Sequence, residues 1–126
     1  LVSSLLLLTW TYWEPSNIRK DSLLYKIRIP VEVKAFPVWG ESGKSDYSVT
    51  NAEGLKPSAI TLRYHSTLTP EEISTEATKM DFLCRQYPAG STLCEKKISA
   101  SQTIQLILDK VPSDNTSKIE VIFSGY

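Results

Sequence analysis

Two cysteines, Cys84 and Cys94, stand on either side of a Pro88-Ala89-Gly90 turn, and the chain has no others. One intramolecular bridge is therefore the whole of its disulfide chemistry. Closing so short a loop ties the element before the turn to the element after it, and stabilises a fold by about 2–3 kcal/mol on chain-entropy grounds. Two free thiols are the alternative. A structural zinc site usually takes four ligands, whereas His65 is the single histidine and the Cys/His set stops at three. The spacing is also far from a Cys-x-x-Cys redox pair. We therefore expect a Cys84–Cys94 disulfide and a compartment outside the reducing cytosol, periplasmic, envelope-bound or secreted. No metal and no cofactor is expected.

The segment leading to Cys84 carries a strong helical signature. Thr69 suits an N-cap, Pro70 the first helical position, and Glu72 completes a capping box. Leu68 and Ile73 hold the positions of a hydrophobic staple. Ile73, Ala77, Met80, Leu83, Cys84 and Tyr87 then form one apolar stripe, with Glu71, Glu76, Lys79 and Arg85 off it. The pattern predicts a helix over about 69–87, stopped by Pro88.

The rest reads as strands and turns. From Leu23 to Ala35 apolar residues alternate with polar ones, which predicts one long strand or two in line, with Pro30 marking an edge or a break. Gly40 to Pro57 is rich in Gly, Ser, Asn and charge and is expected to be a long loop. Ser58 to Ser66 alternates again. Residues 103–111 fit a strand or a helix, and the Pro112-Ser113-Asp114-Asn115 turn before the strand-like Lys118–Ser124 favours a terminal hairpin. The fold class is α+β: a single small domain over 16–126, with a mainly antiparallel sheet and one helix on one face.

Residues 1–15 stand apart. Leu1 to Trp13 holds no charge and ends in Trp10, Tyr12 and Trp13, like an interfacial aromatic belt. At about 1.5 Å per residue thirteen residues fall short of a hydrocarbon core of roughly 30 Å. No basic segment precedes the run and no small-residue cleavage site follows it. It reads either as the end of a membrane anchor or signal segment, giving membrane association through residues 1–13, or as a buried first strand.

Function is less legible. Lys+Arg and Asp+Glu balance at 14 each, which argues against nucleic acid as a partner. Gly40-Glu41-Ser42-Gly43-Lys44-Ser45 lacks the leading glycine of a phosphate loop, because Val38 stands there. His65 is the one side chain suited to proton transfer near neutrality, yet no nucleophile elbow accompanies it, so a surface histidine is expected over a hydrolytic one. Glu71 and Glu72 are capping and dipole residues. Asn115-Thr116-Ser117 matches an N-glycosylation acceptor, a short pattern that also arises by chance. Phe36, Trp39 and Tyr47 lie in or beside the long loop, where water-facing aromatics mark partner contacts, unless Trp39 folds back over the core. The expectation is a non-enzymatic extracytoplasmic domain, such as an inhibitor, immunity protein or envelope accessory subunit. It would bind another protein through Trp39, Tyr47 and Phe36. A small hydrolase using His65, or an intracellular interaction domain with free thiols, are the alternatives.

Overall fold

The structure is a computed structural model that describes residues 18–20, 22–52, 57–87, 90–111 and 116–126. The apolar run 1–15, the Pro88-Ala89 dipeptide and the turn containing Asn115 lie outside the described residues. Two short helices, α1 (Leu23–Arg28) and α2 (Val31–Lys34), lead into strand β1 (Glu41–Thr50) and β2 (Ala59–Ser66). Helix α3 (Pro70–Lys79) follows, then β3 (Leu83–Gln86), β4 (Thr92–Lys97), β5 (Thr103–Lys110) and β6 (Ser117–Ser124). The six strands form one antiparallel sheet in the order β1-β2-β6-β5-β4-β3. This is the α+β layout that the alternation of apolar residues predicts.

Side-chain alternation sets the two faces of the sheet. On the inner face one row runs without a break across all six strands: Tyr47, Leu62, Val121, Leu106, Cys94 and Cys84, each directly opposite the next. Five of these six are essentially inaccessible to water, and Cys84, at the sheet edge, is half-buried. Ile60, Tyr64, Ile104, Leu108, Ile119 and Phe123 fill the flanking rows. The ambiguous 103–111 segment is a strand over Thr103–Lys110, because Ile104, Leu106 and Leu108 all point into this core.

A helical layer covers that inner face. The capping box of α3 forms as expected: the Glu72 amide donates to Thr69 Oγ1 at 3.2 Å, and the Thr69 amide donates to Glu72 Oε1 at 3.3 Å. Ile73 and Ala77 are fully buried against β3, β4 and β5. The helix ends at Lys79, eight residues earlier than the apolar stripe predicts. Asp81 takes a left-handed conformation at φ 69, the Phe82 amide donates to the Ala77 carbonyl at 3.1 Å, and the Asp81 amide donates to that of Thr78 at 3.1 Å. This is a Schellman motif with aspartate where glycine is usual. Leu83, Cys84 and Tyr87 are therefore not helical; Leu83 and Cys84 open β3 instead.

The expected strand over 23–35 is α1 and α2 instead. Ser22 caps α1 by accepting from the Tyr25 amide at 3.2 Å. Ile29 is extended, as a residue before proline prefers, and α2 begins after Pro30. Pro30 thus breaks a helical segment rather than marking a sheet edge. Phe36 joins the two halves of the layer, packing edge-on against Phe82 at 6.1 Å and Phe123 at 5.3 Å. Gly40–Pro57 is also not a loop throughout, since β1 occupies 41–50. A register shift between Ser42 and Asp46 bends that strand, and Gly43 sits there at φ 76. Ile18 exchanges two 2.8 Å backbone bonds with Tyr47 and so caps the free side of β1.

Candidate functional site

The aromatic trio does not form a surface. Tyr47 is 1% exposed and Phe36 8%, and Trp39 leans half-buried on Phe36 with ring centroids 5.7 Å apart. The reason is positional: Tyr47 falls on the inward phase of β1, and Phe36 follows Val33 into the core beneath α2. Burial pushes the Tyr47 hydroxyl above the ordinary tyrosine range, with nearby Tyr25 adding to the shift. These three residues belong to the fold, and the expected binding loop is withdrawn.

Cys84 and Cys94 are joined, as the spacing predicts. They stand directly opposite in the β3–β4 pair, and Cys84 Sγ lies 3.8 Å from the Ser74 carbonyl oxygen of α3. The bridge fastens the outermost strand to its neighbour and to the helix above it. Among the described residues no helix is long and apolar enough to cross a membrane, and no cluster of His, Cys, Asp and Glu could hold a metal ion.

His65 is exposed on the outer face of β2, opposite Ser42 of β1 and Lys118 of β6. Arg63, two positions away, stands 3.8 Å from Glu120. Beyond Lys118 comes Asp109, whose carboxylate already accepts from Ser91 Oγ. A lysine therefore separates the histidine from the nearest carboxylate in its row. At the start of β1, Lys20 Nζ lies 2.8 Å from Glu41 Oε2, and Ser45 Oγ also donates to that oxygen. The ammonium first, and then the hydroxyl, hold the Glu41 carboxyl below its usual range. This cluster anchors the arm carrying Ile18 against β1.

The outer face changes character toward β3. There Leu83, Leu93, Ile107 and Ile122 occupy outward positions on four successive strands. Leu93 is directly opposite Ile107, and Leu83 is 78% exposed. An open groove of about 530 Å³ runs here between Leu83, Cys84, Arg85, Glu95 and Lys97. β3 is also the last strand of the sheet, so its outer backbone edge has no strand partner among the described residues. Apolar side chains beside an open backbone edge suit an incoming extended segment. The sequence held a signal for this surface: Ile107 and Ile122 interrupt otherwise polar phases of their strands. Leu83 was hidden by its false placement in the helical stripe. No family model matches the chain, and no curated protein and no solved structure matches it.

Proposed function

We propose that the protein is a non-catalytic binding domain of the inhibitor, immunity-protein or envelope-accessory kind, working outside the reducing cytosol. Residues 1–13 tether it to a membrane. It receives an extended segment of another protein along β3, with Leu83, Leu93, Ile107 and Ile122 as the apolar floor. The observation that carries this reading is the exposed Leu83 on an edge strand that a disulfide holds in place. A rigid edge loses little freedom on binding, which favours affinity. Balanced charge at 14 and 14 agrees with a protein partner rather than nucleic acid.

The test is site-specific photocrosslinking with the full chain in its native envelope. A crosslinkable residue at Leu83 is expected to trap one protein, and the same residue at Thr61, on the far half of the same face, is expected to trap none. Ile107→Lys should then weaken binding by about 2 kcal/mol or more at an unchanged denaturation midpoint, as for a true hot spot. If His65→Ala abolishes activity while the Leu83 and Ile107 variants bind normally, the hydrolase reading takes over.

A further inference from the structure

Strand β3 leaves a backbone edge whose hydrogen-bond phase is readable. The Tyr87 amide donates to the Ser91 carbonyl at 2.9 Å, which makes 87 and 91 a hydrogen-bonded pair of the β3–β4 hairpin. Bonded and non-bonded pairs alternate along an antiparallel ladder. Arg85–Leu93 and Leu83–Glu95 are therefore bonded pairs, and Cys84–Cys94 and Gln86–Thr92 are not. The Cα atoms of Cys84 and Cys94 stand 4.0 Å apart, in keeping with the closer spacing of a non-bonded pair. Cys84 and Gln86 thus turn their N–H and C=O groups outward, where no backbone partner meets them among the described residues. At the other edge of the sheet, β1 is bent by its register shift and bonded to Ile18 at Tyr47. β3 has neither device.

Leu83, Arg85 and Tyr87 share the outward phase of the strand. Leu83 and Tyr87 are 78% and 47% exposed, and Arg85 stands exposed between them. The Arg85 guanidinium makes no ion pair or hydrogen bond among the described residues. Glu95, diagonal to it on β4, takes a hydrogen bond from Gln105 at 3.5 Å instead. Lys97, the next outward residue of β4, is a second cation, so Arg85 and Lys97 outnumber Glu95 along the groove.

We infer that the segment received along β3 alternates apolar, acidic and apolar residues at every second position. Its backbone bonds to Cys84 and Gln86, its acid lies beside Arg85, and its two apolar side chains lie beside Leu83 and Tyr87. Opposite charges and apolar pairs on neighbouring strands are the side-chain matches that stabilise a sheet. The pattern reads the same from either end, so it holds for a parallel or an antiparallel segment. A second copy of β3 would bring arginine rather than an acid to the edge, so charge points to a different chain. The inference rests on the binding reading proposed above and adds the chemistry of the partner segment.

The test titrates the full, oxidised chain with two synthetic peptides to millimolar concentration, following amide chemical shifts in isotope-labelled protein. One peptide is acetyl-Thr-Val-Thr-Asp-Thr-Val-Thr-amide, and the other has lysine in place of aspartate. The aspartyl peptide is expected to move the Cys84 and Gln86 amides most and to bind about fivefold tighter than the lysyl one. Arg85→Glu should reverse that order at an unchanged denaturant midpoint. Gln86→Pro removes an outward amide that the β4 pairing does not use, and proline is tolerated on an edge strand, so it should weaken binding of both peptides with the hairpin intact. An order that Arg85→Glu leaves unchanged, or shifts centred away from β3, would overturn the inference. Failure of both peptides to bind would overturn it too and make Arg85 a guard against edge pairing. Concentration-dependent shifts at Cys84 and Gln86 without peptide would replace it with self-association. In each of these cases a protein trapped by the crosslinker at Leu83 leaves the binding reading standing, and no trapped protein removes both.

Discussion

Two residues hold backbone conformations that their neighbours impose. Asp81 sits at φ 69 in the position where a Schellman motif favours glycine. A side chain there costs more than the extra unfolded-state freedom of glycine does, so Asp81→Gly is expected to raise stability by about 0.5–1 kcal/mol. The check is the denaturant midpoint at constant slope. Gly125 presents the opposite case. Its φ is 84, its amide donates to the Ser58 carbonyl at 2.6 Å, and a Cβ there would fall inside contact with the Ser101 carbonyl oxygen and 3.0 Å from its carbon. Both groups are backbone and cannot swing aside. Gly125→Ala should cost about 3 kcal/mol or more, read in the same way. If either midpoint moves in the other direction, the corresponding backbone geometry is wrong.

At the scale of elements, helix α3 is held at its start by side chains and at its end by the Asp81 turn. Thr69→Ala leaves the Glu72 amide without its acceptor and should cost about 1 kcal/mol in thermal or denaturant unfolding. Reducing the Cys84–Cys94 bridge should cost about 2–3 kcal/mol and deprotect the β3 amides first in hydrogen exchange. The start of α3 was legible because Thr69, Pro70 and Glu72 act on their own backbone. Its end was not, since Asp81 stops the helix without glycine or proline and the apolar spacing runs on through Leu83 and Cys84. Leu23–Ala35 misled for a related reason. Positions 23, 27 and 31 satisfy a period of two and a helical repeat of four at once, and the deciding signals were Ser22 as a cap and Ile29 before proline. β1 was missed because, as an edge strand with a register shift, it turns few residues inward, Tyr47 chief among them. The disulfide was readable from spacing, whereas the burial of Tyr47 depends on strand phase and that of Phe36 on its contacts with Phe82 and Phe123, which a loop reading of 36–57 hides.

For the molecule as a whole, two buried tyrosines set behaviour in alkali. Burial pushes the Tyr64 hydroxyl above its ordinary range, partly offset by the Trp39 backbone, and no hydrogen bond of good geometry reaches it among the described residues. Tyr47 is raised as well. The unfolded chain releases these protons near pH 10 while the folded protein keeps them, so above about pH 10 the unfolded state binds fewer protons and stability falls. Below that pH the two states are equally protonated at these sites and the contribution is level. Tyr64→Phe, which also removes an unpaired buried hydroxyl, should leave neutral-pH stability equal or higher and make the alkaline decline shallower. A series of denaturant midpoints from pH 8 upward, about neutral to beyond the tyrosine range, decides it; an unchanged slope would assign the decline elsewhere. The strand order carries a different kind of consequence. β6, the last of the six in sequence, lies between β2 and β5 and is the sole link between the β1–β2 hairpin and the β5–β4–β3 meander. A ribosome or a translocation channel releasing this chain from its N-terminal side sets free two half-sheets that cannot meet until the final strand emerges. The sheet thus stays open until β6 is available, and closes in one step when that strand docks.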